Sequence, residues 1–442
     1  MKPVRRRFDS PPSPPRPAAP SLTPGEPDVV VIGGGAAGLM AGACAAELGL
    51  RCVVLERRHR PGLKLLLCGN NRCNVTHRAT VEEMLTAYGE PVAGFLRPAL
   101  TAFPPEELRR WFADRGLRTT VHEDGRVFPA SEQADDVVHC FRDVFRDREI
   151  PLVQQCPVLG IEREGNGYRV RTLHFSLLAS RVLVATGGVS YPKTGSVGDG
   201  QRFARELGHR VLPFRPGLAG LELDACKLVQ GEPVSLPDTA VGLFCGGREM
   251  ARTEGEILLD RACARGPAMV NASRIMAREN LRDVELRIDL FPALQVADLA
   301  RRLAESPRAR RGRKDTVPLA PGEVFAFLAG QLPAAASPEA KARLLKDWRI
   351  AVRGVRPLKE AMVTVGGVDL ADIDPETMQS RRCPGLYFAG EVMDVDGPTG
   401  GYNLHAAFAT ARLAISAIAR EAGSGLAAPP PARPSRPFRN RR

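Results

Sequence analysis

Residues 28–56 carry a strand–helix–strand pattern. The apolar run DVVVIGGG reads as a short strand, the Ala/Leu/Met-rich stretch AAGLMAGACAAELG as a helix, and the β-branched run RCVVLER as a second strand. Such a unit belongs to parallel α/β folds. Further on, EELRRWFADRGL and SEQADDVVHCFRDVF show the apolar spacing of amphipathic helices, and residues 151–188 read as a run of strands with a turn at Gly165-Asn166-Gly167. From residue 211 the pattern becomes strand-like and punctuated by Gly and Pro, and from 263 it turns helical and Arg-rich. The earlier style returns at VTVGGVD, passes through GLYFAGEVMDVDGPTGGYN and ends in the helix LHAAFATARLAISAIAREA.

This order predicts an α/β protein whose Rossmann-type domain is assembled from 28–210 and 356–420. A domain is inserted at 211–355, β-rich over 211–262 and helical over 263–355. No internal repeat is visible. Residues 1–27 and 421–442 are basic Pro/Ala/Arg segments too poor in apolar residues to offset the entropy of ordering, and are expected to be disordered tails.

Composition refines this picture at three points. The chain of 442 residues exceeds the size of a single core, and its 44% hydrophobic residues are enough to bury more than one. No signal-peptide core and no run of about 18 apolar residues occurs, so a cytoplasmic protein without a membrane partner is expected. The ten cysteines form no CxxC pair, which argues against structural zinc and against a disulfide framework.

The formal charge of +12 is concentrated in appendages. Residues 1–20 and 421–442 each hold five basic residues and one acidic residue, and so supply eight of the twelve charges. A further basic stretch holds Arg308, Arg310, Arg311, Arg313 and Lys314. Such segments fit a nucleic-acid partner or serve only as solubilising tails.

The chemistry starts at Gly33, Gly35 and Gly38, a GxGxxG placed between the first strand and the helix. The three glycines allow a tight turn, close approach of a pyrophosphate, and close packing of helix on strand. Ala36 and Ala37 open the helix, whose exposed amides and dipole favour phosphate. Glu56 ends the second strand, 23 residues after Gly33, where a carboxylate accepts hydrogen bonds from a ribose. Arg57 follows it. A carboxylate there favours FAD or NAD over NADP. Two more glycine-rich strand ends, Ala185-Thr186-Gly187 and the Gly390-Glu391 pair, favour FAD, with Glu391 placed for a ribityl hydroxyl.

Five blocks then resemble one bacterial family of NAD(P)/FAD-dependent, aminoacetone-oxidase-like flavoproteins. They are VIGGGAAGLMAG, LKLLLCGNNRCNVTH, GRVFPAS, ATGGVSYPKTGSVGDGQRFARELGH and VTVGGVDLADIDPETMQSRRCPGLYFAGEVMDVDGPTGGYNLHAAFATA. The resemblance implies a two-dinucleotide-binding-domain type of flavin fold with an inserted β-barrel and helical domain. It also implies that Arg72, Cys73, Asn74 and Thr76 line the flavin, with Ser190 to Gly195, Thr194 among them, and with Gly400, Gly401, Tyr402, Asn403 and Leu404. Lys64 and Val158 complete the candidate set. The family's activities include reduction of conjugated double bonds in steroid-like substrates and of uridine to dihydrouridine in ribosomal RNA. One departure falls in the insert, where the family shows a block similar to THFGLSGP and this chain has DRACARGP, keeping Gly266 and Pro267.

Reduction of a C=C bond needs a hydride from the flavin and a proton from the protein. Cys73 is the candidate proton donor, with Tyr191, His77 and Tyr402 as rivals. The Cys68-x4-Cys73 spacing also resembles the redox disulfide of glutathione-reductase-like enzymes, but those carry a second nicotinamide fingerprint and a terminal His/Glu motif absent from this sequence. NADH or NADPH is therefore expected to reach the flavin transiently and leave before substrate enters. An amine oxidase using oxygen and a non-catalytic, flavin-stabilised RNA-binding protein are the other classes left open.

Overall fold

The computed structural model describes residues 27–224, 226, 232–305, 333 and 336–423. The Arg308–Lys314 stretch and nearly all of both basic tails lie outside them.

The β-branched runs Val29–Ile32 and Cys52–Leu55 are wholly buried, as strands covered on both faces must be. They sit in a five-stranded parallel sheet ordered Leu386–Phe388, Arg181–Val184, Val29–Ile32, Cys52–Leu55, Leu152–Val153. The Leu386–Phe388 strand comes from the far end of the chain and pairs Val182 with Leu386. Helix Tyr402–Glu421 returns to pack beside helix Ala36–Glu47. Three rings tie this helix to the early part of the chain: Phe408 lies 5.9 Å from both Phe112 and Phe141, and those two are 5.8 Å apart. Each pair adds about 0.5–1.5 kcal/mol beyond its burial. Phe112 and Phe141 lie on helices Pro105–Ala113 and Ala134–Asp147, where the amphipathic spacing predicts them.

A three-stranded meander follows, with Gly165 at φ +58 in the two-residue turn between Val158–Glu164 and Gly167–Thr172. The insert is a closed barrel of six strands. Here the expected division of the insert needs correction. The 263–355 stretch does contain helices, but it also supplies the barrel strands Glu285–Asp289 and Trp348–Val355. ELRID and WRIAVRGV alternate buried with more exposed positions, and that period of two outweighs the arginine content that reads as helical. An antiparallel pairing of Arg215–Gly217 with Val363–Val365 brings together the two chain crossings between domains. No described helix is long and apolar enough to cross a membrane.

Candidate active site

A cleft of about 590 Å³ opens where the C-terminal ends of the parallel strands meet the insert. At its base the three fingerprint glycines play different parts. Gly33 has φ +107, and a Cβ there would lie 2.5 Å from the Ala185 carbonyl oxygen. A Cβ on Gly38 would lie 1.7 Å from the Gly33 carbonyl oxygen. Both are glycine because the protein's own backbone requires it. A Cβ on Gly35 meets no protein atom within 4 Å, so its surroundings are open toward the cleft, as close approach of a pyrophosphate demands.

Glu56 lies against this turn. Its carboxylate accepts from the Gly34 amide and from the Arg58 amide, both at 2.7 Å. Burial raises its pKa, and the two amide bonds oppose that shift. Arg57 lines the cleft and donates to Asp199 at 2.5 Å.

A second polar group gathers residues from four segments. Lys64 Nζ donates to Ser190 Oγ at 2.8 Å and to Glu391 Oε2 at 2.6 Å. Glu391 Oε1 accepts from Ser190 Oγ at 3.1 Å and from the Thr364 amide at 2.8 Å. Arg72 donates to Glu132 at 3.0 Å and lies 4.6 Å over the Phe128 ring, which Arg126 also approaches at 5.6 Å. Asn74 accepts from the Val127 amide at 3.2 Å, anchoring the Asn70–Asn74 loop.

Of the candidate residues, the cleft brings together Gly33, Gly35, Ala36, Ala37, Glu56, Arg57, Lys64, Arg72, Asn74 and Val158. From the second half of the chain it adds Ala185, Thr186, Gly187, Thr194, Gly390, Glu391, Gly400, Gly401, Asn403 and Leu404. Four lie behind it. Gly38 packs under Gly33. Thr76 is buried and exchanges a hydrogen bond with His405 at 2.9 Å. Tyr402 stacks on His77 with ring centroids 5.1 Å apart, which takes both rival donors out of the lining.

Cys73 is the fourth. Its backbone stands at φ 62, its amide donates to the Cys68 carbonyl at 2.9 Å, and its side chain is fully buried in the main core. Burial pushes its thiol well above the usual range. Its sulfur packs the loop beneath the cleft instead of facing a substrate. Both Cys68 and Cys73 are free thiols. Cys68 and Tyr191 do line the cleft, and burial raises both, the thiol to about 11.

The opposite wall is formed by Leu218, Val270, Met362 and Val363, which the sequence patterns did not single out, with Gly266 and Pro267, which they noted only within a departure in the insert. The signal was present in DRACARGP. Gly266 stands at φ +91, where a Cβ would come 2.3 Å from the Glu256 carbonyl oxygen, and Pro267 starts helix Pro267–Arg278.

A discontinuous Rossmann-type sheet with an open glycine turn, a carboxylate at the end of its second strand and a further Gly-Glu strand end fits an FAD-dependent oxidoreductase. FAD would be held by the Gly33–Gly38 turn, Glu56 and Glu391. The chain belongs to the HI0933-like protein Rossmann domain family, whose model matches residues 27–417. It is 28% identical to the 3-dehydro-bile acid delta(4,6)-reductase of Clostridium scindens, over 88% of this chain and 98% of that one. It is also 28% identical to the ribosomal RNA dihydrouridine synthase of Escherichia coli, over 87% of this chain and 96% of that one. Among solved structures, 3-ketosteroid delta1-dehydrogenase from Sterolibacterium denitrificans aligns with a TM-score of 0.49 at 15% identity, covering 90% of this chain and 100% of that one.

Proposed function

We propose that this protein uses NADH or NADPH to reduce a conjugated C=C bond in a planar ring, and that the ring is uracil in ribosomal RNA. The observation that carries the reading is the change of character along the cleft. Its glycine-lined base suits a dinucleotide, whereas Leu218, Pro267, Val270 and Met362 of the opposite wall offer an apolar surface for a flat ring. Bound FAD supplies the hydride to one carbon of the bond.

The chain supplies the proton to the other carbon, and Tyr191 is the residue assigned to it. Its raised pKa keeps the hydroxyl protonated at neutral pH. Its backbone is held at φ 49, uncommon outside glycine, by the amide and hydroxyl of Thr194, which both donate to the Tyr191 carbonyl at 2.8 Å. Cys68 is the alternative donor on the same cleft.

Two observations support RNA. Two relatives, from Escherichia coli and Haemophilus influenzae, carry the name ribosomal RNA dihydrouridine synthase. Arg72 and Arg126 line the cleft around Phe128, where guanidinium groups suit phosphates flanking a presented base. The second reading, a small-molecule enone, is favoured by the exposed apolar side chains of Leu67 and Met362 in the same cleft. The test is to map dihydrouridine in ribosomal RNA from a strain lacking the protein. A site lost on deletion and restored by the gene supports RNA; an unchanged map leaves the enone reading.

A further inference from the structure

Helix Pro267–Arg278 begins at the cleft and ends in a buried charge cluster. Asn271, Arg274 and Arg278, spaced three and four residues apart, share one helical face, and all three reach the 394–399 segment. Asn271 accepts from the Thr399 amide at 2.9 Å. Arg274 donates to the Asp396 carboxylate at 2.5 Å, and to the carbonyls of Asp396 and Tyr88 at 2.9 Å each. Arg278 donates to Asp394 at 2.6 Å and to the second carboxylate oxygen of Asp396. Asp394 also accepts from the Gly366 amide at 2.8 Å. The Asp396 side chain is 0% exposed and that of Arg274 is 9% exposed. Two cations and two carboxylates therefore balance out of water, and the set is complete only while the insert is docked. Removing one member strands a buried charge.

The held segment leads into Gly400–Leu404, where four of the five residues line the cleft, and into the first turn of helix Tyr402–Glu421. Tyr88 forms a second link. While its carbonyl holds Arg274, its hydroxyl donates to the Tyr402 carbonyl at 2.7 Å and its ring meets that of Tyr402 edge-on. Tyr402 in turn stacks on His77, whose Nδ1 lies 3.1 Å from the Gly400 carbonyl. Gly401 has no slack, since a Cβ there would lie 2.4 Å from the Thr76 carbonyl oxygen.

We propose that Arg274 is a positioning residue for the flavin. By holding Asp396 and Tyr88 it sets the Gly400–Gly401 turn from the insert, so the cofactor reaches its final geometry only when the insert is docked. The inference rests on FAD occupying this cleft and is independent of the substrate.

The test uses the full chain carrying Tyr88→Phe, Arg274→Lys or Arg274→Met. FAD binding to the apoprotein is followed by flavin fluorescence, and the visible spectrum and midpoint potential of each holoprotein are recorded. Tyr88→Phe deletes one hydrogen bond and keeps the ring. It is expected to fold, to bind FAD about tenfold more weakly, and to show a displaced spectrum and potential. Arg274→Met should lose more, and Arg274→Lys should recover part of the loss. If Arg274→Met does not fold, Arg274→Lys and Tyr88→Phe decide together. Wild-type affinity, spectrum and potential in Tyr88→Phe and in every folded Arg274 variant would overturn the proposal. Failure of the wild-type apoprotein to bind FAD would instead reject the cofactor assignment.

Discussion

Lys64 Nζ donates to Glu391 Oε2 at 2.6 Å, across 327 positions of sequence. The contact joins the short helix Leu63–Leu67, which follows the Cys52–Leu55 strand, to the turn after the Leu386–Phe388 strand, with Ser190 bonded to both side chains. Their side chains are 23% and 18% exposed, so water screens the pair only in part.

Lys64→Met should leave the Glu391 carboxylate without its cation and destabilise the protein by about 2 kcal/mol, less than for a fully buried pair. Urea unfolding of Lys64→Met, Glu391→Gln and the double variant should give a coupling energy of about 1–2 kcal/mol. Glu391→Gln should also weaken FAD binding. Additive losses would show that the two residues do not act as a pair.

Gly35 and Gly38 should respond in opposite ways to a side chain. Gly35→Val places its methyl groups in open space on the cleft side, so a folded but colourless protein is expected. Gly38→Val drives a side chain into the Gly33 carbonyl and should prevent folding. Circular dichroism and flavin absorbance of the two purified variants separate these outcomes. Stoichiometric FAD in Gly35→Val would remove the pyrophosphate from that turn.

Tyr191→Phe should separate the two halves of the reaction. Reduction of the bound flavin by NADH or NADPH should proceed at the wild-type rate. Transfer to substrate should slow by about 10²–10⁴-fold, the usual worth of a placed general acid. Stopped-flow traces of the two half-reactions check this, and Cys68→Ser serves as the competing variant. A slow second step in Cys68→Ser with an unaffected Tyr191→Phe would move the proton to Cys68.

Much of this site could be read along the chain because its parts are local. The Gly33–Gly38 turn, Glu56 and the Gly390-Glu391 strand end each lie within a few residues of a recognisable strand. What escaped depends on distant segments meeting. The apolar wall at Leu218, Val270 and Met362 and the Arg274–Asp396 pair have no local spacing to mark them, because their partners lie more than a hundred residues away or across the domain boundary. Cys73 shows the converse. Its place in a flavin-lining block points to chemistry, but the left-handed backbone of the Asn70–Cys73 loop turns its sulfur into the core. The alternation in ELRID and WRIAVRGV was legible, yet surrounding arginines masked it.

His405 should make the protein acid-sensitive. It is fully buried, its Nε2 donates to the Phe103 carbonyl at 2.9 Å, and Nδ1 accepts from Thr76 Oγ1 at 2.9 Å. Burial lowers its pKa from 6.5 to about 4. Between these values the unfolded chain binds a proton that the native state excludes, so stability rises with pH across the window and falls as pH drops from 6.5 toward 4. The loss amounts to about 3 kcal/mol. Denaturant unfolding at pH 7.5 and pH 4.5 should show it, and His405→Gln, though less stable at pH 7.5, should show a smaller difference. An equal difference in His405→Gln would place the sensitivity elsewhere.

The most direct test of the proposed reaction is flavin reoxidation by RNA. The FAD-loaded protein is bleached anaerobically with NADH or NADPH, unmodified ribosomal RNA is added, and the flavin absorbance band is followed. The account predicts bleaching by a nicotinamide, recovery of the band on adding RNA, and dihydrouridine formed in proportion. A flavin that neither nicotinamide reduces, or one that stays bleached with RNA and recovers only with a steroid-like enone, would contradict it.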